Sequence, residues 1–187
     1  MKISKTVYKN IHQDIIDNCR KRDIKAQFQI YRLYYRNMYN ISLRIVNDSR
    51  EAEDIMQDSF LSAFEKIDSY SGEVSFGAWL KRIVINRSLD SLKKKKLDLL
   101  PLEESTDLPA ESDEESENEY SLKVEEIHRC INMLPDGYRI IISLYLLEGF
   151  DHEEIGEILG ISASTSRSQY SRARLKLCNM LKNKGQQ

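Results

Sequence analysis

Between Asp98 and Glu119 the chain carries ten acidic residues and no Lys or Arg. The stretch 97–119 adds two prolines and four serines or threonines. Such a composition cannot bury enough apolar area to offset the entropy of ordering it, so it reads as a flexible acidic linker. That single stretch rules out one continuous core. It divides the 187 residues into two small modules, 1–96 and 120–187. It also masks the charge: with its ten carboxylates set aside, a formal net charge of −2 becomes +8 on the remainder. A basic surface carrying an acidic strap points to nucleic acid as a partner. As a coil the linker spans roughly 25–29 Å, which suits two modules on DNA sites about one 34 Å turn apart.

Both modules read as helical, so the expected class is all-α. In the first, a short amphipathic piece (Ile11, Ile15, Ile16, Cys19) precedes a helix starting near Asp23. Its apolar positions Phe28, Tyr31, Tyr35, Met38, Ile41 and Ile45 recur at spacings of three and four. Asn47-Asp48-Ser49 is a turn with an N-cap. The next helix turns Ala52, Ile55, Met56, Phe60, Ala63 and Ile67 inward and leaves Asp54, Gln57, Asp58 and Leu61 outward. The loop 68–74 leads to a helix over 75–96, SFGAWLKRIVINRSLDSLKKKK, with Ser75 as N-cap. Its apolar residues form two stripes, Phe76, Leu80, Ile83 and Val84 against Ala78, Ile85, Leu89 and Leu92. Trp79, Arg82, Asn86 and Lys93 share a third face. An aromatic ring, a guanidinium, an amide and an amine in one row suit a base and its phosphates, though a merely solvated row has the same composition.

In the second module a helix runs from about Tyr120 to Met133 and stops at Leu134-Pro135. Another, built on Tyr138, Ile141, Ile142, Leu144, Tyr145 and Leu147, ends at Gly149. Asp151 and Glu154 make a capping box for HEEIGEIL, Gly160 permits a left-handed turn, and Ser162 caps a long basic helix to about Lys182. Helix, glycine turn and a Ser/Thr/Gln/Arg-rich second helix make a helix-turn-helix, the later helix being the reader.

Other classes are excluded or weakened. The longest apolar run, Ile140 to Leu147, is far short of a membrane span, and the N-terminus lacks a signal-peptide core. Cys19, Cys130 and Cys178 are odd in number and in no metal-ligand spacing, so they are expected as reduced thiols in a cytoplasmic protein. His12, His128 and His152 sit apart, and no phosphate loop, HExxH or nucleophile elbow occurs; no cofactor, metal or enzymatic activity is expected. A stand-alone helix-turn-helix regulator remains possible on these grounds, but would need neither the outward stripe at 54–61 nor the aromatic-basic row.

The order of parts resembles the extracytoplasmic-function group of bacterial sigma factors, from about residue 12 to 182. Four stretches carry the resemblance: AEDIMQDSFLSAFEKI, FGAWLKRIVINRSLDSLKKKK, LPDGYRIIISLYLLEGFDHEEIGEILGIS and SRSQYSRARLKL. It implies a factor that binds core RNA polymerase, recognises −35 and −10 promoter elements and helps open the duplex. Asp54, Gln57, Asp58 and Leu61 would meet the clamp helices of the largest polymerase subunit. Tyr70, Ser71 and Gly72 beside Trp79, Arg82 and Asn86 would hold an unstacked base, with Arg87, Lys93 and Lys94 on phosphates. Ser164, Thr165, Arg167, Ser168 and Gln169 would reach −35 base edges, with Arg172, Arg174 and Lys176 further along. The resemblance also implies a dedicated anti-sigma partner. The chain departs from the family pattern at Ser166, where an apolar residue usually packs the turn, and at Gln169 and Tyr170, where Arg and Leu are common.

Overall fold

The computed structural model describes residues 11–98 and 119–184, so most of the expected linker lies outside the described residues. Every element among the described residues is helical, and the chain divides into two compact units at Asp98. The first unit holds α1 (Gln13–Arg20), α2 (Ile24–Val46), α3 (Ser49–Glu65), a 3-10 turn (Ile67–Ser69) and α4 (Phe76–Asp98). The second holds α5 (Glu119–Asn132), α6 (Asp136–Ile142), α7 (His152–Leu159) and α8 (Ala163–Lys184).

Local chemistry sets the boundaries of the first unit. Asp23 caps α2 by accepting from the Lys25 N–H, and Asn47 ends it in the left-handed region at φ 56°. Asp48 then caps α3 by accepting from the Glu51 N–H at 2.9 Å. The Ser75 hydroxyl accepts from the Ala78 N–H at 3.2 Å, opening α4. Helices α2, α3 and α4 pack pairwise around Ile30, Met38, Ile41, Phe76, Leu80 and Ile85, with α1 laid on α2.

Two expectations for these helices change. On α2 the inward face is Ala26, Ile30, Met38, Ile41 and Ile45, while Phe28 is 60% exposed and Tyr31 and Tyr35 are half-buried along the α3 seam. A strict seven-residue repeat slips about 20° per repeat on a straight helix, so its N-terminal members drift off the core. Tyr31 packs on Phe60 with centroids 5.0 Å apart and stacks on Tyr35 at 5.6 Å, which is how rings on the margin are used. On α4, Ala78 is exposed, and the buried set includes a polar member, Ser88.

The second unit packs α8 against α5, α6 and α7 over Cys130, Ile131, Leu134, Ile142, Ala173 and Leu177. The expected helix to Gly149 is interrupted. After Ile142 the backbone widens into a π turn over Ser143–Leu147, with the Glu148 N–H donating to the Ser143 carbonyl. The Asp151–Glu154 capping box is present, and Gly160 ends α7 at φ 69°. Arg139 is a buried guanidinium, paired with Asp136 at 2.8 Å.

Cys19 and Cys130 are buried and Cys178 is exposed, all three as free thiols. Burial, with the Asp23 carboxylate beside it, pushes the Cys19 thiol up to about 11. A raised thiol keeps its proton at neutral pH and is a poor nucleophile. In native protein at pH 8 a thiol-specific reagent should therefore label one cysteine quickly, and Cys178→Ser should abolish that fast phase; a fast phase surviving in Cys178→Ser would contradict the burial of Cys19 on α1 or of Cys130 on α5.

Candidate functional site

On α3 the side chains of Asp54, Gln57, Asp58 and Leu61 all face solvent, as the outward stripe requires; Leu61 is 62% exposed although apolar. Gln57 donates to Glu53 across one helical turn at 3.3 Å. An acidic stripe that ends in an uncovered leucine is suited to a basic helical partner that brings an apolar side chain with it.

Beside that stripe, α3 and α4 enclose an open cleft of about 500 Å³, with Ile55 and Asp58 on one wall and Ile83, Asn86, Arg87 and Lys94 on the other. Arg87 lies 3.7 Å from Asp58, so the residue expected on a phosphate and the residue expected on the polymerase pair with each other in the free chain. Asn86 and Lys93 are exposed, Arg82 and Trp79 half-buried. The third face of α4 is thus outward as a row. The lysines that follow are not equivalent. Lys93 and Lys94 are exposed, whereas Lys95 is tied to Glu51, whose other oxygen accepts from the Ser91 hydroxyl at 2.5 Å. The hydrogen bond to Glu51 raises the Lys95 ammonium above its ordinary value. Glu51 thereby binds the C-terminal turns of α4 to the start of α3.

The loop residues need correction. Tyr70 is 3% exposed and donates its hydroxyl to the Val74 carbonyl at 2.6 Å. Its ring meets Phe76 edge-on at 5.4 Å and Trp79 at 5.3 Å. It is a core ring supporting Trp79 from beneath, because a phenol with a backbone acceptor within reach is satisfied when buried. Gly72 is buried too, at φ 76°, and Ser71 alone of the three presents its side chain.

In the second unit Ser164, Thr165, Arg167 and Ser168 are exposed at the start of α8 and Gln169 is half-buried; Arg172, Arg174 and Lys176 continue the exposed face. The hydroxyls already have partners. Ser162 lies 2.9 Å from Ser164 and 2.8 Å from Thr165, while Ser168 donates to the Ser164 carbonyl at 3.0 Å. Arg167 lies 3.6 Å from Glu153. The tight approach of α8 to α7 depends on Gly156, where a Cβ would come within 2.8 Å of the Ile161 carbonyl oxygen.

His152 had been set aside as one of three scattered histidines. Its Nδ1 lies 2.9 Å from the hydroxyl of Ser166, which is wholly buried, and its ring stacks on Tyr145 at 4.6 Å and 16°. Tyr170 closes the group, 4.5 Å from Tyr145 and 5.7 Å from His152. The signal was present in the sequence: Ser166 and Tyr170, two of the departures from the family pattern, stand one turn apart on α8 and so face one neighbour.

Residues 30–97 match the family Sigma-70 region 2, and residues 124–177 match Sigma-70, region 4. Among relatives, the chain is 31% identical to the ECF RNA polymerase sigma factor SigW of Bacillus subtilis, covering 89% of this chain and 95% of that one. It is 26% identical to the RNA polymerase sigma-H factor of Pseudomonas aeruginosa, over 87% and 89% of the two chains. Among solved structures it is similar to the sigma factor RpoE of Bartonella quintana, solved in complex with the anti-sigma factor NepR. That similarity has a TM-score of 0.60 and 26% identity, and covers 85% of this chain and 98% of that one.

Gly156→Val should force α7 away from the turn and lower the stability of the second unit by about 1–3 kcal/mol. Thermal unfolding followed by circular dichroism checks this; an unchanged melt would show that the α7–α8 approach is looser than described.

Proposed function

The chain belongs to the extracytoplasmic-function sigma factors, and from that premise we propose how its residues divide the work of directing promoter-specific transcription initiation. A sigma factor carries no catalytic chemistry of its own; it binds core RNA polymerase and promoter DNA. In the proposed division the first module, 1–96, docks on the polymerase and reads and melts the −10 element. The acidic segment 97–119 links it to the second, 120–187, which reads the −35 element.

Docking is assigned to Asp54, Gln57, Asp58 and Leu61, meeting the clamp helices of the largest polymerase subunit. The −10 strand is assigned to the outward row Trp79, Arg82 and Asn86 with Ser71, and its phosphates to Arg87, Lys93 and Lys94. Tyr70 and Gly72 shape this surface from inside. The −35 element is assigned to Ser164, Thr165, Arg167, Ser168 and Gln169, with Arg172 and Arg174 on phosphates. The observation that carries this reading is the adjacency on α3 and α4: Asp58 of the acidic stripe and Asn86 of the aromatic-basic row line one cleft, and Arg87, next to Asn86, pairs with Asp58. A polymerase docked on the stripe would stand next to the strand held by the row. The protein is proposed to act in the cytoplasm, with an anti-sigma protein as its regulator, by analogy with the NepR complex of its structural relative.

The first test is a pull-down against bacterial core RNA polymerase, followed by transcription from a promoter library with the complex formed. Stable binding with discrete start sites supports the reading; tight DNA binding by the chain alone, without polymerase, would favour a stand-alone regulator.

Asp54→Lys combined with Asp58→Lys should abolish polymerase binding while the far-ultraviolet spectrum stays helical, since both side chains are exposed. Normal polymerase affinity would remove the stripe from the docking surface. Asn86→Ala should slow promoter opening, measured by permanganate reactivity of unpaired thymines, with polymerase affinity unchanged. Asn86 separates the two roles better than Trp79, whose ring also packs on Tyr70 and Phe76.

A further inference from the structure

Two departures from the family pattern, Ser166 and Tyr170, meet a third residue in space. Ser166 lies on the inner side of the first turn of α8, at 0% exposure, between the solvent-facing Thr165 and Arg167. A hydroxyl buried there needs a partner, because an orphaned one forfeits its hydration without return. Its own helix does not supply the partner. His152, the first residue of α7, does so at 2.9 Å through Nδ1. The imidazole is in turn fixed in orientation by stacking on Tyr145 of the π turn and by the edge of Tyr170, one turn beyond Ser166. One ring thus joins α7 to two other elements, the π turn and α8, and its two contacts on α8 fall in the first two turns, which carry Ser164, Thr165, Arg167, Ser168 and Gln169.

We propose that His152 is the positioning residue for the reading end of α8. Its hydrogen bond to Ser166 fixes the place of that turn against α7, and the two tyrosines aim the imidazole at the hydroxyl. A second polar tie at this end, the Arg167–Glu153 pair, is exposed on both sides at 3.6 Å and holds little in water. The bond can form in either sense: Nδ1 accepts from the serine O–H where it carries no hydrogen and donates to the serine oxygen where it does. Base readout requires side chains placed to within a fraction of an ångström, so a lock at this point governs discrimination between base sequences more than affinity for DNA.

This inference rests on the reading of α8 as the −35 reader. The experiment uses the full chain assembled with core polymerase. It compares transcription from a promoter with transcription from the same promoter carrying single −35 substitutions, below the melting temperature of every variant. His152→Phe keeps a ring on Tyr145 but strands the Ser166 hydroxyl; the discrimination ratio should fall roughly tenfold. Ser166→Ala should also lower it. The double variant, which leaves no polar group unpaired but has no bond across the seam, should stay as low as the single variants, and His152→Asn, which keeps a polar atom near the Nδ1 position, should discriminate as the wild type does. Polymerase affinity should be unchanged throughout.

Wild-type discrimination in His152→Phe, or an equal loss on every promoter, overturns the proposal, since a merely structural role weakens all sites alike. If His152→Phe does not fold, Ser166→Ala and His152→Asn decide: loss in the first with retention in the second supports the lock, and no difference between them overturns it. Indifference of the wild type itself to −35 substitution would refute the assignment of α8 and this inference with it.

Discussion

Helix α4 is fastened to α2 by two serines buried completely in the first unit. The Ser88 hydroxyl donates to the Val84 carbonyl at 2.8 Å, and since a hydroxyl has one proton, Ser42, 3.0 Å away, must be the donor to Ser88. Both groups are satisfied, and both side chains are small enough to let the two backbones come close. An apolar pair here would pack without fixing how far one helix slides along the other; the serine pair fixes both slide and rotation. The orientation of the rest of α4 follows from it. Phe76, Leu80, Val84 and Ile85 are buried, and Trp79, Arg82, Asn86 and Lys93 are left on the outward side. The outward row is therefore the remainder after α2 and α3 have taken what they need.

Much of this was legible in the sequence because the signals were local. Caps at Asp23, Asp48, Ser75, Asp151 and Ser162 and the left-handed turn at Gly160 each depend on residues within one turn of chain. The outward rows of α3 and α4 follow from the 3.6-residue period alone. What was not legible depends on partners that the helical period does not place. Ser88 looks like a helix-surface residue until Ser42 is brought against it from 46 residues away. Tyr70 looks like a loop aromatic free to stack on a base until Phe76 and the Val74 carbonyl enclose it. On α2, aromatic side chains at the right spacing outweighed the smaller Ala26 and Ile30, although the small residues face the neighbouring helices. The π turn at Ser143–Leu147 has no local breaker to announce it and reflects how the unit closes around Leu144.

The geometry of α3 and α4 also bears on how two partners can share one small unit. The Asp58–Arg87 pair is exposed on both sides, so it is worth at most about 1 kcal/mol and exchanges readily. A basic polymerase helix that takes Asp58 would release Arg87 toward a phosphate, at little net cost. The Glu51–Lys95 tie is of another kind. Glu51 is largely covered, bonds two residues of α4 at once, and joins the same two helices. Of these two ion pairs, one holds the helices together and the other is open to exchange. The exchangeable pair, Asp58–Arg87, is the one that lines the cleft, beside Ile55, Ile83 and Asn86.

At the start of α8 the same reasoning limits what polar side chains can contribute. Ser162, Ser164, Thr165 and Ser168 are already hydrogen-bonded within their own helix. Each hydroxyl that turns to a base edge gives up a bond to gain one, so the net gain is small, about 1 kcal/mol or less apiece. The groups that would add energy without such an exchange are the exposed Arg172, Arg174 and Lys176, whose proposed contacts to phosphates carry no sequence information. On the proposed reading, affinity and selectivity are therefore supplied by different residues on one helix. Selectivity, spread over several weak exchanges, depends on holding that helix in one place, and the contacts that hold it lie on its buried side, at Ser166 and Tyr170, out of reach of the DNA.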